Sequence, residues 1–300
     1  MAVEIVPVSP DFVAEVGDVD LARLSPEDLE AVKQAFWKYA VLVFPGQQLD
    51  GEQHLAFARH FGPHETTIAV HRPGHDRQLR VRREFADVSN LDSQGRIWKA
   101  DSRVREFERA NRLWHTDSSF KRLPALASFL YARSIPPVGG RTEFADLRAA
   151  YDALDEARKA RLAGRVAEHC IAHSRARIGF TGFTDEERAA MPPVPQLIVR
   201  TLPQSGRKTL YLASHAGRIV GMPEVEGRAL LDALMAHATQ RQFVYSHRWR
   251  AHDLVMWDDR CTMHRATGYD DLRWPRDVQR ATVSDIANSC EQEGVEPALA

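Results

Sequence analysis

Leu113-Trp114-His115-Thr116-Asp117-Ser118-Ser119-Phe120 is the stretch on which the reading of this chain turns. On an extended strand, residues two apart point to the same face, so His115 and Asp117 can grip one metal ion together. The pair supplies two ligands, and a third has to arrive from a distant part of the fold. The candidate is His264, in the strand-like Cys261-Thr262-Met263-His264-Arg265.

Two imidazoles and one carboxylate on one face leave three adjacent positions open, the arrangement of non-haem Fe(II) oxygenases. A structural zinc site would instead be closed by four protein ligands. For His115 and His264 to meet, strands far apart in the chain must fold face to face. The pattern around them allows it. Ser128–Arg133, Arg141–Phe144, Arg165–Ala172, Leu197–Thr201, Lys208–Ala213, Phe243–Trp249, Asp253–Trp257, Thr262–Arg265 and Gln279–Ser284 are short strand-like runs separated by turn residues. Beyond the opening stretch only Leu147–Leu162 and Glu224–Ala238 show helical spacing. Such a series predicts a mainly β, α+β fold, a sandwich or jelly roll with helices packed outside.

Upstream, Ser25-Pro26-Glu27-Asp28 is a helix start, followed by Leu29, Val32, Ala35, Phe36 and Tyr39 at helical spacing. Ala40 to Phe44 reads as a buried strand ended by Pro45-Gly46, and Asp50 caps a second helix. His54 and His60 on that helix are expected at its surface, and His247 and His252 at the surface or behind the ligands. From Glu65 to Arg112 the pattern dissolves, which suggests a lid or binding loop. With no repeats and no break in composition, residues 1–300 are read as one domain.

The totals narrow the partners. Forty Lys and Arg against 41 Asp and Glu leave a formal charge of −1, so no global field collects nucleic acid or anionic membrane. A small molecule is the expected partner, and a homo-oligomer the expected assembly. Cys170, Cys261 and Cys290 form no CxxC pair and leave a thiol unpaired, which suits a reducing compartment. Met1 to Asp20 lacks a basic flank before an apolar run, and no 18-residue apolar stretch exists, so neither a signal peptide nor a membrane span is expected. Cytoplasm is the expected location.

The chain also resembles the Fe(II)/2-oxoglutarate-dependent taurine and 2,4-dichlorophenoxyacetate dioxygenase family, TauD/TfdA. The resemblance is carried by Leu42-Val43-Phe44-Pro45-Gly46-Gln47, Phe61-Gly62-Pro63, Trp114 to Phe120, Pro137-Val138-Gly139-Gly140-Arg141-Thr142 and Asp253 to Arg265. Ala149 to Leu154 and Ala238 to Tyr245 are nearer its aryloxyacetate branch than its taurine branch. The resemblance implies a double-stranded β-helix, with Fe(II) held by His115, Asp117 and His264. It implies 2-oxoglutarate as cosubstrate, anchored by Arg276 and Thr142, O2 as oxidant, and an anionic substrate paired with Arg280. His71, Arg82, Asn90 and His215 are further candidates for substrate contact.

Some positions depart from the family. Asp259 stands where Asn is usual, Arg141 where a smaller or acidic residue is common, and one extra residue lies between Gly268 and Pro275. Neither of the two substitutions removes a ligand. The expected reaction is hydroxylation of an aryloxyacetate, giving a phenol and glyoxylate with succinate and CO2. A sulfonate, a sulfate ester or another organic acid would satisfy Arg280 as well. A non-catalytic binding module and a metal hydrolase with the same ligands complete the alternatives.

Overall fold

A computed structural model describes residues 3–67, 79–292 and 297. His71 lies outside the described residues. The chain opens with a hairpin that the sequence pattern does not announce, β1 (Glu4–Ser9) and β2 (Val13–Gly17). β1 contains Pro7 and lies at the edge of its sheet, where a missing N–H costs no ladder bond. Next, α1 (Pro26–Tyr39) begins where Ser25 Oγ accepts the Asp28 N–H at 3.1 Å, and ends at Ala40 with φ 65°. The all-buried β3 (Val41–Phe44) follows, then α2 (Gly51–Arg59), capped reciprocally by Asp50 and Gln53. His54 departs from expectation here. It is fully buried, with Nε2 3.0 Å from the Phe129 carbonyl, because α2 lays that face on the sheet.

Next come β4 (Phe85–Asp87), α3 (Arg103–Glu108), β5 (Ala125–Ser134), β6 (Thr142–Asp146), α4 (Leu147–Asp152), α5 (Glu156–Leu162) and β7 (Val166–His169). The helical pattern of Leu147–Leu162 is two helices, since Asp155 starts the second by accepting the Arg158 N–H. The run Arg165–Ala172, read as strand throughout, stops at His169 and gives way to α6 (Ile171–Ala176). α6 and α7 (Asp185–Ala190) have six residues each, too few to show a helical period. The order closes with β8 (Val194–Leu197), β9 (Val199–Thr201), β10 (Lys208–Leu210), β11 (Ala216–Ile219), α8 (Glu224–Ala238), β12 (Val244–His247), β13 (Leu254–Asp258), β14 (Thr262–Ala266) and β15 (Asp277–Ser284).

Seven strands form one sheet in the order β1-β2-β3-β13-β5-β15-β4, antiparallel except for the β2–β3 pair. Strand alternation sorts its side chains into two layers. Leu42, Phe44, Phe129, Met256 and Ala281 pack with α1 and α2, while Val41, Val43, Leu130, Val255 and Val278 face the other way. That second face meets a three-stranded sheet, β12-β6-β14, through Phe144, whose ring centroid is 5.3 Å from that of Trp257. Each large side chain buried there contributes roughly 2 kcal/mol.

The same alternation aims the candidate site. Met263 packs outward with α4 and α8, so His264 turns inward from β14. Val278 lies in the layer between the sheets, so Arg280, two residues on, shares its side of β15. Two smaller sheets, β11-β7-β8 and β10-β9, complete the β content, giving a mixed helix and sheet architecture. Among the described residues, no helix is long and apolar enough to cross a membrane.

Candidate active site

His115 and Asp117 do not lie on a regular strand. His115 makes one isolated bridge to His264, with N–H to carbonyl bonds of 3.0 and 2.8 Å in the two directions. The ladder stops because the next groups bond elsewhere. Thr116 Oγ1 donates to the Leu212 carbonyl, the Asp117 N–H goes to Asp259 Oδ1, and Ser118 takes φ 50°. The single bridge still sets the two imidazoles side by side, with centroids 4.2 Å apart. Asp117 closes the group, its Oδ1 3.8 Å from His115 Nε2 and its Oδ2 3.7 Å from His264 Nε2. The three ligand atoms lie within 4.8 Å of one another, and all three residues are buried.

Local partners set the protonation states. The Leu113 carbonyl lies 2.8 Å from His115 Nδ1, so that nitrogen carries the proton and Nε2 keeps its lone pair. Burial holds the His115 pKa below the usual histidine value, outweighing the attraction of Asp117. Burial, then the neighbouring His115, pushes His264 well below it too. Both imidazoles are neutral near pH 7, the form a metal requires. Burial opposes the charge on Asp117, but Arg280, His264, His115 and the Ser128 hydroxyl hold its carboxyl below the ordinary range. Arg280 Nη1 donates to Asp117 Oδ1 at 2.5 Å. Two neutral imidazole nitrogens and one buried carboxylate are a donor set that suits Fe(II).

A cavity of about 180 Å³ opens beside His115, Asp117 and Arg280. Phe85, Phe107, Phe120 and Ile171 give it an apolar lining, with Arg175 and His215 among the polar groups. His215 lines this cavity, its Nδ1 2.9 Å from Ser174 Oγ and its ring 4.8 Å from that of Phe120. Burial, then the charge of Arg175, keeps it neutral.

Arg276 belongs to an adjoining cavity of about 90 Å³, together with Tyr269, Thr267 and Ala266. Its buried guanidinium donates to the Val88 carbonyl at 3.2 Å, and Nε has no partner among the described residues. Burial also lowers its pKa, so a negative ligand there would be stabilised. Asn90, expected against substrate, lines this smaller cavity and not the larger one. Its side chain is spent on backbone groups, accepting the Arg276 N–H at 2.7 Å and donating to the Asp271 and Trp274 carbonyls. Thr142 lines neither cavity. Its hydroxyl accepts the Trp249 indole N–H at 3.0 Å, and it pairs in register with Ala266 on the smaller cavity's wall. Arg82 is at the surface, paired with Glu52 and Glu84. His247, expected at the surface or behind the ligands, is buried 3.2 Å from Asp253.

This geometry has a counterpart among known proteins. Residues 4–282 match the family model described as taurine catabolism dioxygenase TauD, TfdA family. The chain belongs to the TauD/TfdA family. Among the relatives of this TauD/TfdA dioxygenase, the alpha-ketoglutarate-dependent 2,4-dichlorophenoxyacetate dioxygenase of Cupriavidus pinatubonensis is 44% identical over 290 residues, 96% of this chain and 99% of that one. An (S)-phenoxypropionate/alpha-ketoglutarate-dioxygenase of Sphingobium herbicidovorans is 36% identical over 277 residues, 90% of this chain and 91% of the relative. The crystal structure of AAD-2 in complex with Mn(II) and N-oxalylglycine superposes with a TM-score of 0.88 at 47% identity, over 97% of this chain and 100% of that one. This TauD/TfdA chain is a 2-oxoglutarate-dependent dioxygenase that works with Fe(II) and O2.

Proposed function

We propose that the enzyme hydroxylates an aryloxyalkanoate, an aryloxyacetate such as 2,4-dichlorophenoxyacetate, at the carbon between ether oxygen and carboxylate. The hydroxylated product is a hemiacetal, which collapses to a phenol and glyoxylate. Fe(II), once bound with 2-oxoglutarate and O2, supplies the oxidising power, while 2-oxoglutarate leaves as succinate and CO2. In this reading His115, Asp117 and His264 hold the ion. The buried Arg276 takes the distal carboxylate of 2-oxoglutarate, and the Thr142 hydroxyl stands by as a further donor. Arg280 draws in the substrate carboxylate, and His215, neutral, offers a polar contact on the same wall. Phe85, Phe107 and Phe120 exclude water and cradle the ring, so that the carbon to be oxidised stays beside the triad.

The reading rests above all on Arg280, a guanidinium beside the triad at the wall of a cavity partly lined by Phe85, Phe107, Phe120 and Ile171. It takes the two facing sheets as the double-stranded β-helix of one domain spanning residues 1–300, and, of the expected lid 65–112, the described residues 65–67 and 79–112 as its covering segment. Succinate release under air, measured across a panel of acids, tests the substrate. Aryloxyacetates should drive turnover. If a sulfonate or sulfate ester drives it faster, the chemistry stands and the substrate assignment falls. Turnover without O2, with zinc in place of iron, would replace the oxygenase by a hydrolase. An anaerobic mixture with Fe(II) and 2-oxoglutarate should also show a weak visible charge-transfer band that His115→Ala abolishes.

A further inference from the structure

Asp117 is gripped from behind by two residues that the reaction itself does not use. Ser128 sits mid-strand in β5, and Asp259 follows directly on β13; both are fully buried. Ser128 Oγ lies 2.8 Å from Asp117 Oδ2 and 2.7 Å from Asp259 Oδ2. Asp259 Oδ1 accepts the backbone N–H of Asp117 at 3.2 Å and the indole N–H of Trp257 at 2.9 Å. We propose that Ser128 and Asp259 are positioning residues that fix the Asp117 carboxylate for metal binding and thereby set the protein's metal affinity. The proposal rests on the reading of His115, Asp117 and His264 as the metal site.

Three observations carry it. First, Asp259 holds Asp117 directly at its backbone N–H, and the Ser128 hydroxyl lies between the carboxyl groups of the two residues. The backbone hold is needed because the chain leaves strand geometry here, with Ser118 at φ 50°, and no ladder partner receives the Asp117 N–H. Left unpaired in the interior, that N–H would favour another path for the turn. Second, Ser128 places a hydroxyl in register with Trp257 on one side and Thr282 on the other, inside a sheet where a polar group is costly unless it is used. Third, the other carboxylate oxygen depends on Arg280, which is partly exposed to the cavity and is the group an anionic substrate would recruit. Ser128 therefore offers a hold on Asp117 that does not change with substrate. Trp257, bound to the same Asp259, lies with its ring 4.6 Å from that of His264, so one carboxyl backs two of the three ligands.

Mn(II), which binds such sites without redox chemistry, is the probe, and its dissociation constant on the metal-free full chain is read by electron paramagnetic resonance. Ser128→Ala and Asp259→Ala should each weaken Mn(II) binding by about 10- to 100-fold. Asp259→Asn keeps an oxygen for the Asp117 and Trp257 N–H groups and presents an amide to Ser128, so it should restore affinity close to that of the parent. A purely structural role would lower the melting temperature of the metal-free protein and leave Mn(II) affinity alone. If Asp259→Ala fails to fold, Ser128→Ala, which deletes a single oxygen, decides the matter. Parent-like Mn(II) binding by Ser128→Ala, with binding lost in His115→Ala, overturns the positioning role. Mn(II) binding retained by His115→Ala overturns the metal site itself.

Discussion

Asn90 and Arg276, 186 residues apart in the chain, are bonded in both directions: the Asn90 side-chain oxygen accepts the Arg276 N–H at 2.7 Å, and the Asn90 N–H donates to the Arg276 carbonyl at 3.3 Å. The sequence suggests Asn90 as a substrate contact, and the structure makes it a clamp on the chain that carries the buried guanidinium. Asn90→Ala should therefore raise the Michaelis constant for 2-oxoglutarate and leave that for the acid substrate nearly unchanged. Leaving the Arg276 N–H unpaired costs roughly 1–3 kcal/mol, so an effect of about tenfold is expected. Steady-state kinetics with each substrate varied in turn checks it.

Arg276 and Arg280 occupy different cavities, and their removal should separate accordingly. Arg280→Ala should raise the Michaelis constant for the acid substrate far more than that for 2-oxoglutarate, and Arg276→Ala the reverse. Losing one partner of a buried charge pair costs on the order of 2–5 kcal/mol, which is about 30-fold or more. Equal effects on both constants would refute the division.

Folding buries His54 and His169 away from protons. Burial lowers His54 to about 4 and His169 to about 3, against 6.5 when exposed. Below pH 6.5 the unfolded chain therefore binds protons that the folded one refuses. Their contribution is complete above pH 6.5 and is lost as the pH falls, for His54 until about pH 4. The difference for His54 alone amounts to about 3 kcal/mol. Thermal melts from pH 7.5 down to pH 4.5 should move steadily downward, and His54→Gln should flatten part of that slope. Parallel slopes for parent and variant would show that His54 is not responsible.

Gly139 adopts φ 80°, and a Cβ there would lie 2.6 Å from the Gly268 carbonyl and 3.0 Å from Tyr269 Cβ. Tyr269 lines the Arg276 cavity, so Gly139→Ala should both lower the melting temperature and weaken 2-oxoglutarate binding. Gly95, at φ 76° with nothing near its would-be Cβ, is the control. Gly95→Ala should show only the backbone strain, about 1–2 kcal/mol, with 2-oxoglutarate kinetics unchanged.

The parts of this site that can be read from sequence are those that obey a period. Met263 and His264 alternate between two layers, and Val278 and Arg280 repeat on one, so their directions follow from strand geometry. Where the chain breaks the period, reading fails. His115-Thr116-Asp117 looks like strand, yet its face is set by one bridge and a turn whose bonds run to Leu212 and Asp259. His54 looks like surface because polarity on a short helix says nothing about what covers it. Ser128 leaves no trace, since one serine in Ala125–Ser134 is indistinguishable from many others until the sheet sets it under Asp117. Asn90 lies in irregular chain, where only tertiary contacts decide which end of the site it serves.

The two cavities share a partition: Val88, Ser89, Trp98, Val104, Glu108 and Asn111 line both. Anyone seeking to widen the enzyme's tolerance for bulkier acids meets that partition first. With the acid beside Arg280 and 2-oxoglutarate beside Arg276, as proposed, a residue exchanged there would change the fit of two molecules at once, and a gain in scope would come with poorer retention of the cosubstrate. Phe85, Phe120 and Ile171 line the larger chamber alone. Engineering of selectivity should begin with those three positions and leave the common wall as it is.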